Sequence, residues 1–310
     1  MKRFHRLLFF FYIIVCLAET GFTQPAHPEW PALRQGEKVI CHLAYCLVYN
    51  EEHEQATWVA YELTAAETRK VIGRSDRFIE DSKIATGSAS TEDYAGSGFD
   101  RGHLAPAADM GWSAQAMEES FYFSNMSPQS PQCNRGIWKK GEELVRDWAR
   151  LYGKLLVVTG PVLQDGLPSI GPNKVSVPEA YYKILLRSDS QQPAAMAFLV
   201  PNEGSRKSFS SFAVPIDSVE KITHLNFFPW LSKEQEKKLE ASLCISCWDW
   251  DAKGIRDPID QNGRLPAVSE LNVQNSGFTD AFRCHGITKK GNRCKRKVKK
   301  AGSNCYQHGG

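Results

Sequence analysis

Asp100-Arg101-Gly102-His103 and Asn134-Arg135-Gly136-Ile137-Trp138, with the run that follows as far as Tyr152, decide how this chain is read. The first stretch follows Tyr94-Ala95-Gly96-Ser97-Gly98-Phe99, whose small central residues let a bulky polyanion approach the backbone. After the second, Ile137, Gly141, Leu144, Val145, Trp148 and Leu151 fall on one face at about 100° per residue. An amphipathic helix is therefore expected from Ile137 to Tyr152, ended by Gly153. Steps of four residues advance only about 40° around a helix, so Asn134, Trp138, Glu142 and Arg146 form one drifting stripe beside the buried face.

Outward from this centre, Val39 to Tyr49 and Ala56 to Leu63 are rich in β-branched and aromatic residues, with Asn50-Glu51-Glu52 as a turn between them. They are expected to form an antiparallel pair. Phe121 to Ser124, Leu155 to Pro161, Tyr181 to Leu186 and Ala194 to Pro201 are short apolar segments bounded by Gly, Pro, Ser or Asp, as buried strands are. Further helices are expected at Ile216 to Thr223 and Lys233 to Leu243, and residues 251–280 have the composition of a linker. With 310 residues and 42% hydrophobic side chains, the chain can bury a substantial core, which excludes a disordered chain or a disulfide-stapled miniprotein. The expected fold class is α+β: a central antiparallel β-sheet over residues 38–250, followed by a small C-terminal Cys/His module at 281–310.

A His, an Asn, a Glu and several Arg side chains gathered in this way suit phosphodiester hydrolysis. That chemistry needs a base, a divalent cation to neutralise charge and cationic side chains to hold the strand. His103 serves as the base because an ordinary imidazole is largely neutral at pH 7. Asn134 offers a neutral oxygen to a hard cation such as Mg²⁺ or Mn²⁺, and Glu142 would hold that ion's water shell. Each residue alone has a plainer explanation: a satisfied His, an N-cap Asn, a solvated Glu142/Arg146 pair. The joint spacing is what favours the chemistry.

Asp100-Arg101-Gly102-His103, Ser124-Asn125-Met126-Ser127-Pro128-Gln129 and Asn134-Arg135-Gly136-Ile137-Trp138, followed by Glu142 and Arg146, resemble the DNA/RNA non-specific endonuclease family that includes endonuclease G. The likeness continues through Val158-Thr159-Gly160-Pro161, Phe198-Leu199-Val200-Pro201-Asn202 and Phe227-Phe228-Pro229, and so spans about residues 38–250. It implies a ββα-metal finger, in which a strand pair and a helix present the catalytic His and the metal-binding Asn. By position it makes His103 the general base, Asn134 the direct Mg²⁺ ligand and Glu142 a contact to metal-bound water. Arg101 and Arg146 would engage phosphate, Arg74, or else Arg77, would stabilise the transition state, and Asn125 would support the substrate side of the site. Cys133 beside the metal ligand and Thr223-His224 in place of Thr-Gly depart from the family pattern.

The ends carry separate signals. Met1 to Arg6 is basic and Leu7 to Ala18 apolar, the pattern of a secretory signal over residues 1–20, too short for a membrane span. A secreted or periplasmic protein without a stable membrane span is expected. Cys41/Cys46 and Cys244/Cys247 are structural pairs whose connectivity stays open; a link between the pairs would close a loop of about 200 residues. Residues 283–310 carry nine basic residues and no carboxylate side chain, a charge of +9 against −6 for the rest, or −8 once the signal is removed. The excess suits a phosphate-rich partner, DNA or RNA. Within it, Cys284, Cys294, Cys305 and His308 suit tetrahedral Zn²⁺, with disulfide bonding as the alternative, and resemble small bacterial Cys3His modules. A homodimer and a protein inhibitor are further partners the sequence leaves open. The competing reading is a catalytically weak nucleic-acid-binding or surface-anchored protein that uses the basic tail.

Overall fold

The computed structural model describes residues 25–188 and 192–252, together with two short strands in the tail. Seven strands form one sheet: β1 (Val39–Cys41), β2 (Cys46–Asn50), β3 (Gln55–Thr64), β6 (Lys154–Pro161), β9 (Ala180–Arg187), β10 (Ala194–Pro201) and β11 (Ala213–Val214), in that spatial order. Every neighbouring pair is antiparallel. Outside it, β4 (Asp100–His103) pairs with β5 (Met126–Gln129), and β7 (Ser169–Ile170) with β8 (Val175–Ser176). The helices are α1 (Thr91–Tyr94), α2 (Ala114–Glu119), α3 (Lys139–Tyr152), α4 (Ile216–Thr223) and α5 (Lys233–Leu239). In the tail, β12 (Phe282–Arg283) pairs with β13 (Lys297–Val298). The expected signal segment, most of the linker and the Cys284/Cys294/Cys305/His308 set lie outside the described residues.

Both faces of the sheet are buried, which explains why β6, β9 and β10 read as nearly continuous apolar runs. Period-2 alternation sends Val59, Tyr61, Val157, Tyr181, Leu185 and Phe198 to one core with Trp138, Val145 and Trp148 from the α3 region. It sends Trp58, Ala60, Val158, Tyr182 and Ile184 to the opposite core, under Ile216 and Val219 of α4 and Leu239 of α5. Helices thus cover both faces of a central antiparallel sheet.

Several local expectations change. Val39 to Tyr49 is two strands, since the chain reverses between β1 and β2, where Cys41 and Cys46 face each other and are joined by a disulfide. Cys244 and Cys247 likewise bond to each other, so each close pair is closed locally and no link joins the two pairs. Phe121 to Ser124 is not a strand: Tyr122 makes an isolated parallel bridge to Ile79, Phe123–Asn125 makes a 3₁₀ turn, and a continuous ladder begins only at β5. The expected helix from Ile137 starts instead as a π-helical turn, Cys133–Trp138, whose Gly136 leaves helical geometry (φ −107°, ψ −105°) before α3 begins. Leu151, assigned to the apolar face, is exposed.

The Asn50 turn forms as its chemistry suggests, with Asn50 Oδ1 accepting from the Glu52 N–H at 2.9 Å. His224, where the family pattern has glycine, adopts the left-handed conformation that ends α4 (φ 55°, ψ 25°). Gly141 on α3 is required by packing, because a Cβ there would run into the Phe209 ring. Helix propensity alone would make Gly141→Ala stabilising by about 1 kcal/mol, and overpacking costs about 1–3 kcal/mol. Equilibrium denaturation is expected to show Gly141→Ala net destabilised; a gain in stability would mean that Phe209 yields freely.

Candidate active site

Strand alternation sorts the Asp-Arg-Gly-His motif. Arg101 and His103 point to one side of β4, and Asp100 and Gly102 to the other. Gly102 has no room for a Cβ, which would overlap the buried Gln129 side chain on β5. The hairpin is pinned to the sheet from below: Tyr181 Oη on β9 donates to the Pro128 carbonyl at 2.8 Å, and Asn202 Nδ2 donates to the same oxygen at 3.0 Å. Across from the hairpin, the π-helical turn presents Asn134.

On the Asp100 side, Asn134 Nδ2 donates to Asp100 Oδ2 at 2.9 Å, while Arg135 donates to both oxygens through Nε (2.8 Å) and Nη2 (2.6 Å). Burial would raise the Asp100 carboxyl, but Arg135, Asn134 and the Arg101 charge hold it below the usual carboxylate range. Because the Asn134 amide is planar, committing its nitrogen to Asp100 turns its Oδ1 away from Asp100. That oxygen is a ligand type suited to a hard divalent cation.

On the other side, His103 is 7% exposed and sits edge-on to Phe121, with ring centroids 4.8 Å apart, and to Phe78, at 5.9 Å. The same rings carry the cations: the Arg101 guanidinium lies 4.0 Å from the Phe78 centroid, and that of Arg74 lies 4.8 Å from Phe121. Burial, then the charges of Arg74 and Arg101, push the imidazole down from 6.5 to about 3. Nε2 is enclosed with no hydrogen-bond partner.

Arg74 also links the two halves, since its charge acts on both His103 and Glu142. Arg77 does not share this position and pairs at the surface with Glu118. Burial raises the Glu142 carboxyl above its usual range, opposed by the charges of Lys183, Arg146 and Arg74. Arg146 is committed to a buried acid: its Nη1 donates to Asp109 Oδ1 at 2.8 Å, and Tyr61 Oη donates to the other oxygen at 2.8 Å. Its side chain is 12% exposed and its charge reaches Glu142. Asn125 lies inside the fold. Fully buried, it accepts from the Ala105 N–H (2.9 Å) and donates to the Ala105 (2.9 Å) and Ser120 (2.8 Å) carbonyls, fixing the chain just past His103.

Lys183 is the residue that motif reasoning passed over. Its Nζ is buried without a hydrogen-bond partner, 4.8 Å from the Trp138 ring centroid, and its charge acts on Glu142. Burial lowers its own ammonium below the usual range, against the pull of Glu142 and Asp109. A lone lysine inside the apolar run Tyr181 to Leu186 was the available signal. Cys133 is a buried free thiol pushed up to about 12 by burial and then by Glu142, which makes it chemically quiet. A grouping of Ser124, His42 and Asp81 is no nucleophile, because it is buried and both partners bond to Asp81 Oδ2.

Comparisons with known proteins bear on the family and the fold. The chain is 35% identical over 223 residues to the mitochondrial nuclease EXOG of Xenopus laevis, covering 66% of this chain and 62% of that protein. It is 36% identical over 201 residues to the mitochondrial endonuclease G of Bos taurus, covering 60% and 67% respectively. A solved EndoG/EndoGI complex contains a similar fold, with a TM-score of 0.61 and 32% identity, covering 66% of this chain and 90% of that one. The chain thus spans somewhat less than two thirds of the EXOG sequence it matches. The profile of the DNA/RNA non-specific endonucleases matches residues 31–234. With a strand pair holding His103 and the π-helical turn before α3 holding Asn134 within that span, the chain belongs to the DNA/RNA non-specific endonuclease family.

Proposed function

We propose that this chain is an exported, Mg²⁺-dependent endonuclease (Mn²⁺ serving in its place) that hydrolyses phosphodiester bonds of DNA and RNA with little regard to sequence. The observation that carries the reading is the pairing of a neutral, enclosed His103 with two guanidiniums held on the rings that enclose it. With Nε2 shut away, His103 engages a water through Nδ1 and takes its proton as that water attacks phosphorus, while the bond from phosphorus to the leaving sugar oxygen breaks and that oxygen is protonated by water. Arg74 and Arg101 bind the phosphate. Their charges are part of what depresses the imidazole, so a bound phosphate compensates them and shifts His103 towards the range where a base is effective. Asn134 and Glu142 would hold the cation, which when bound supplies charge neutralisation at the phosphate. Lys183 and Arg146 keep Glu142 towards its ionised form, as a water-shell contact requires. The grip is on phosphate and not on base edges, which fits action on both nucleic acids.

Export rests on the basic and apolar pattern of residues 1–18. An inhibitor protein belongs to the same proposal, since the similar EndoG was solved with EndoGI. Zn²⁺ bound by Cys284, Cys294, Cys305 and His308 rests on ligand type and spacing alone.

Purified protein is expected to degrade both plasmid DNA and RNA with Mg²⁺ and to stop in EDTA. His103→Ala should lower the rate by about 10²–10⁴-fold. Cleavage that persists unchanged in His103→Ala would remove His103 as the base. The nine basic residues of 283–310 give a second expectation, because phosphate contacts release counterions. Substrate affinity should fall steeply between about 50 and 200 mM salt. Replacing Lys295, Lys299 and Lys300 with Gln should flatten that dependence; an unchanged salt slope would show that the tail does not touch substrate.

A further inference from the structure

A second cluster of ionisable groups lies apart from the site just described. Asp217 and Glu220 stand one turn apart on α4, and Glu240 follows the last residue of α5. One carboxylate oxygen from each lies within 4.8 Å of the other two. The Asp217 N–H also donates to the Glu240 carbonyl at 3.2 Å, so the start of α4 and the end of α5 already touch. These helices pack on the sheet face opposite α3, with Ile216, Val219 and Leu239 in the core of Trp58 and Tyr182.

Two of the carboxylates have ordinary explanations. Asp217 is exposed in the first turn of a helix, where a negative charge is favoured. Glu220 Oε1 accepts from the Phe227 N–H at 2.7 Å, which braces the chain beyond α4. Glu240 has no such explanation. It is 3% exposed, and its Oε1 is enclosed with no hydrogen-bond donor while facing two other acids. The ammonium of Lys233, whose charge also reaches the cluster, is bonded to Glu236 at 2.6 Å. An enclosed carboxylate oxygen without a donor, beside like charges, calls for a cation.

We propose that Asp217, Glu220 and Glu240 bind a divalent cation, Ca²⁺, that fastens α4 to the end of α5. Ca²⁺ takes about six to eight oxygen ligands in irregular geometry, and carboxylates bind it through one or both oxygens. Glu240 supplies the enclosed ligand, Glu220 the oxygen not used by Phe227, and Asp217 the ligand on the open side, where water completes the shell. Mg²⁺ suits the cluster less well, since it demands near-ideal octahedral geometry and dehydrates reluctantly. The bound ion cancels the mutual repulsion of the three acids and is independent of the nuclease reading, because the sheet separates it from Asn134.

The test is thermal unfolding of the full chain in EDTA and across a Ca²⁺ titration. At about 100-fold excess over Kd, binding to the native state should raise Tm by roughly 5–10 °C. Asn134→Ala, which removes the proposed catalytic ligand, should keep that rise. Glu240→Gln should abolish it, with a Tm in EDTA at or above that of the unaltered protein, since one repelling charge is gone. Asp217→Asn, at an exposed position that the fold tolerates, should weaken Ca²⁺ binding by tenfold or more. The proposal is overturned if Ca²⁺ leaves Tm unchanged, or if the rise survives in both Glu240→Gln and Asp217→Asn; Glu240 then carries a proton instead of sharing a cation.

Discussion

The antiparallel register of β4 and β5 is the constraint on which the site depends. With Asp100 opposite Gln129 and His103 opposite Met126, alternation puts Arg101 and His103 against Phe78 and Phe121 and leaves Asp100 facing Asn134 and Arg135. A slip of one residue would exchange the two sets. Three features hold the register. Gly102 lies where only a residue without a Cβ passes Gln129, Tyr181 and Asn202 grip the Pro128 carbonyl, and Asn125 ties down Ala105 beyond the strand end. Asp100 then fastens the strand to the turn before α3, so that the orientation of Asn134 is set by the motif that carries His103.

Neutrality of His103 has a thermodynamic cost. Its pKa is lowered in the folded protein, so above the ordinary imidazole value of about 6.5 the folded and unfolded chains bind the same number of protons there. As pH falls below 6.5, the unfolded chain takes a proton that the folded chain refuses. Stability then drops by about 1.4 kcal/mol per pH unit until the folded group titrates near 3. Lys183 is a parallel case, a cation kept buried beside Trp138 because its field supports Glu142. Both residues trade stability for a defined charge at the site.

Much of the architecture was legible in the sequence. The apolar runs of β6, β9 and β10 and the periodicity of α4 carry strong local signals, because each element is buried on a fixed face. The reversal at Cys41–Cys46 was hidden in a continuous β-branched stretch, and β5 was hidden by Pro128, which weakens any local strand signal. The π-helical turn at Cys133–Trp138 has no counterpart in a 3.6-residue period. At the site, residue types and spacing pointed to His103, Asn134 and Glu142, and the family resemblance favoured Arg74 over Arg77; Arg74 lies over the Phe121 ring while Arg77 pairs with Glu118. Asn125 and Arg146 carry polar side chains that suggest substrate, yet their partners are an interior loop and the buried Asp109. Burial of a polar group depends on contacts far away in the chain, which the local pattern does not contain.

Direct titration of the His103 imidazole tests the central claim, that this fold holds a neutral base between two aromatic rings and two guanidiniums. The chain has eight histidines, so histidine-selective isotope labelling with His103→Gln as the assignment control isolates one ring. In the free protein the His103 resonances are expected to stay in the neutral form from pH 8 to about pH 4.5, consistent with a pKa of about 3. They should begin to protonate at higher pH in Arg74→Ala. A midpoint near 6.5, unchanged by the loss of Arg74, would contradict it.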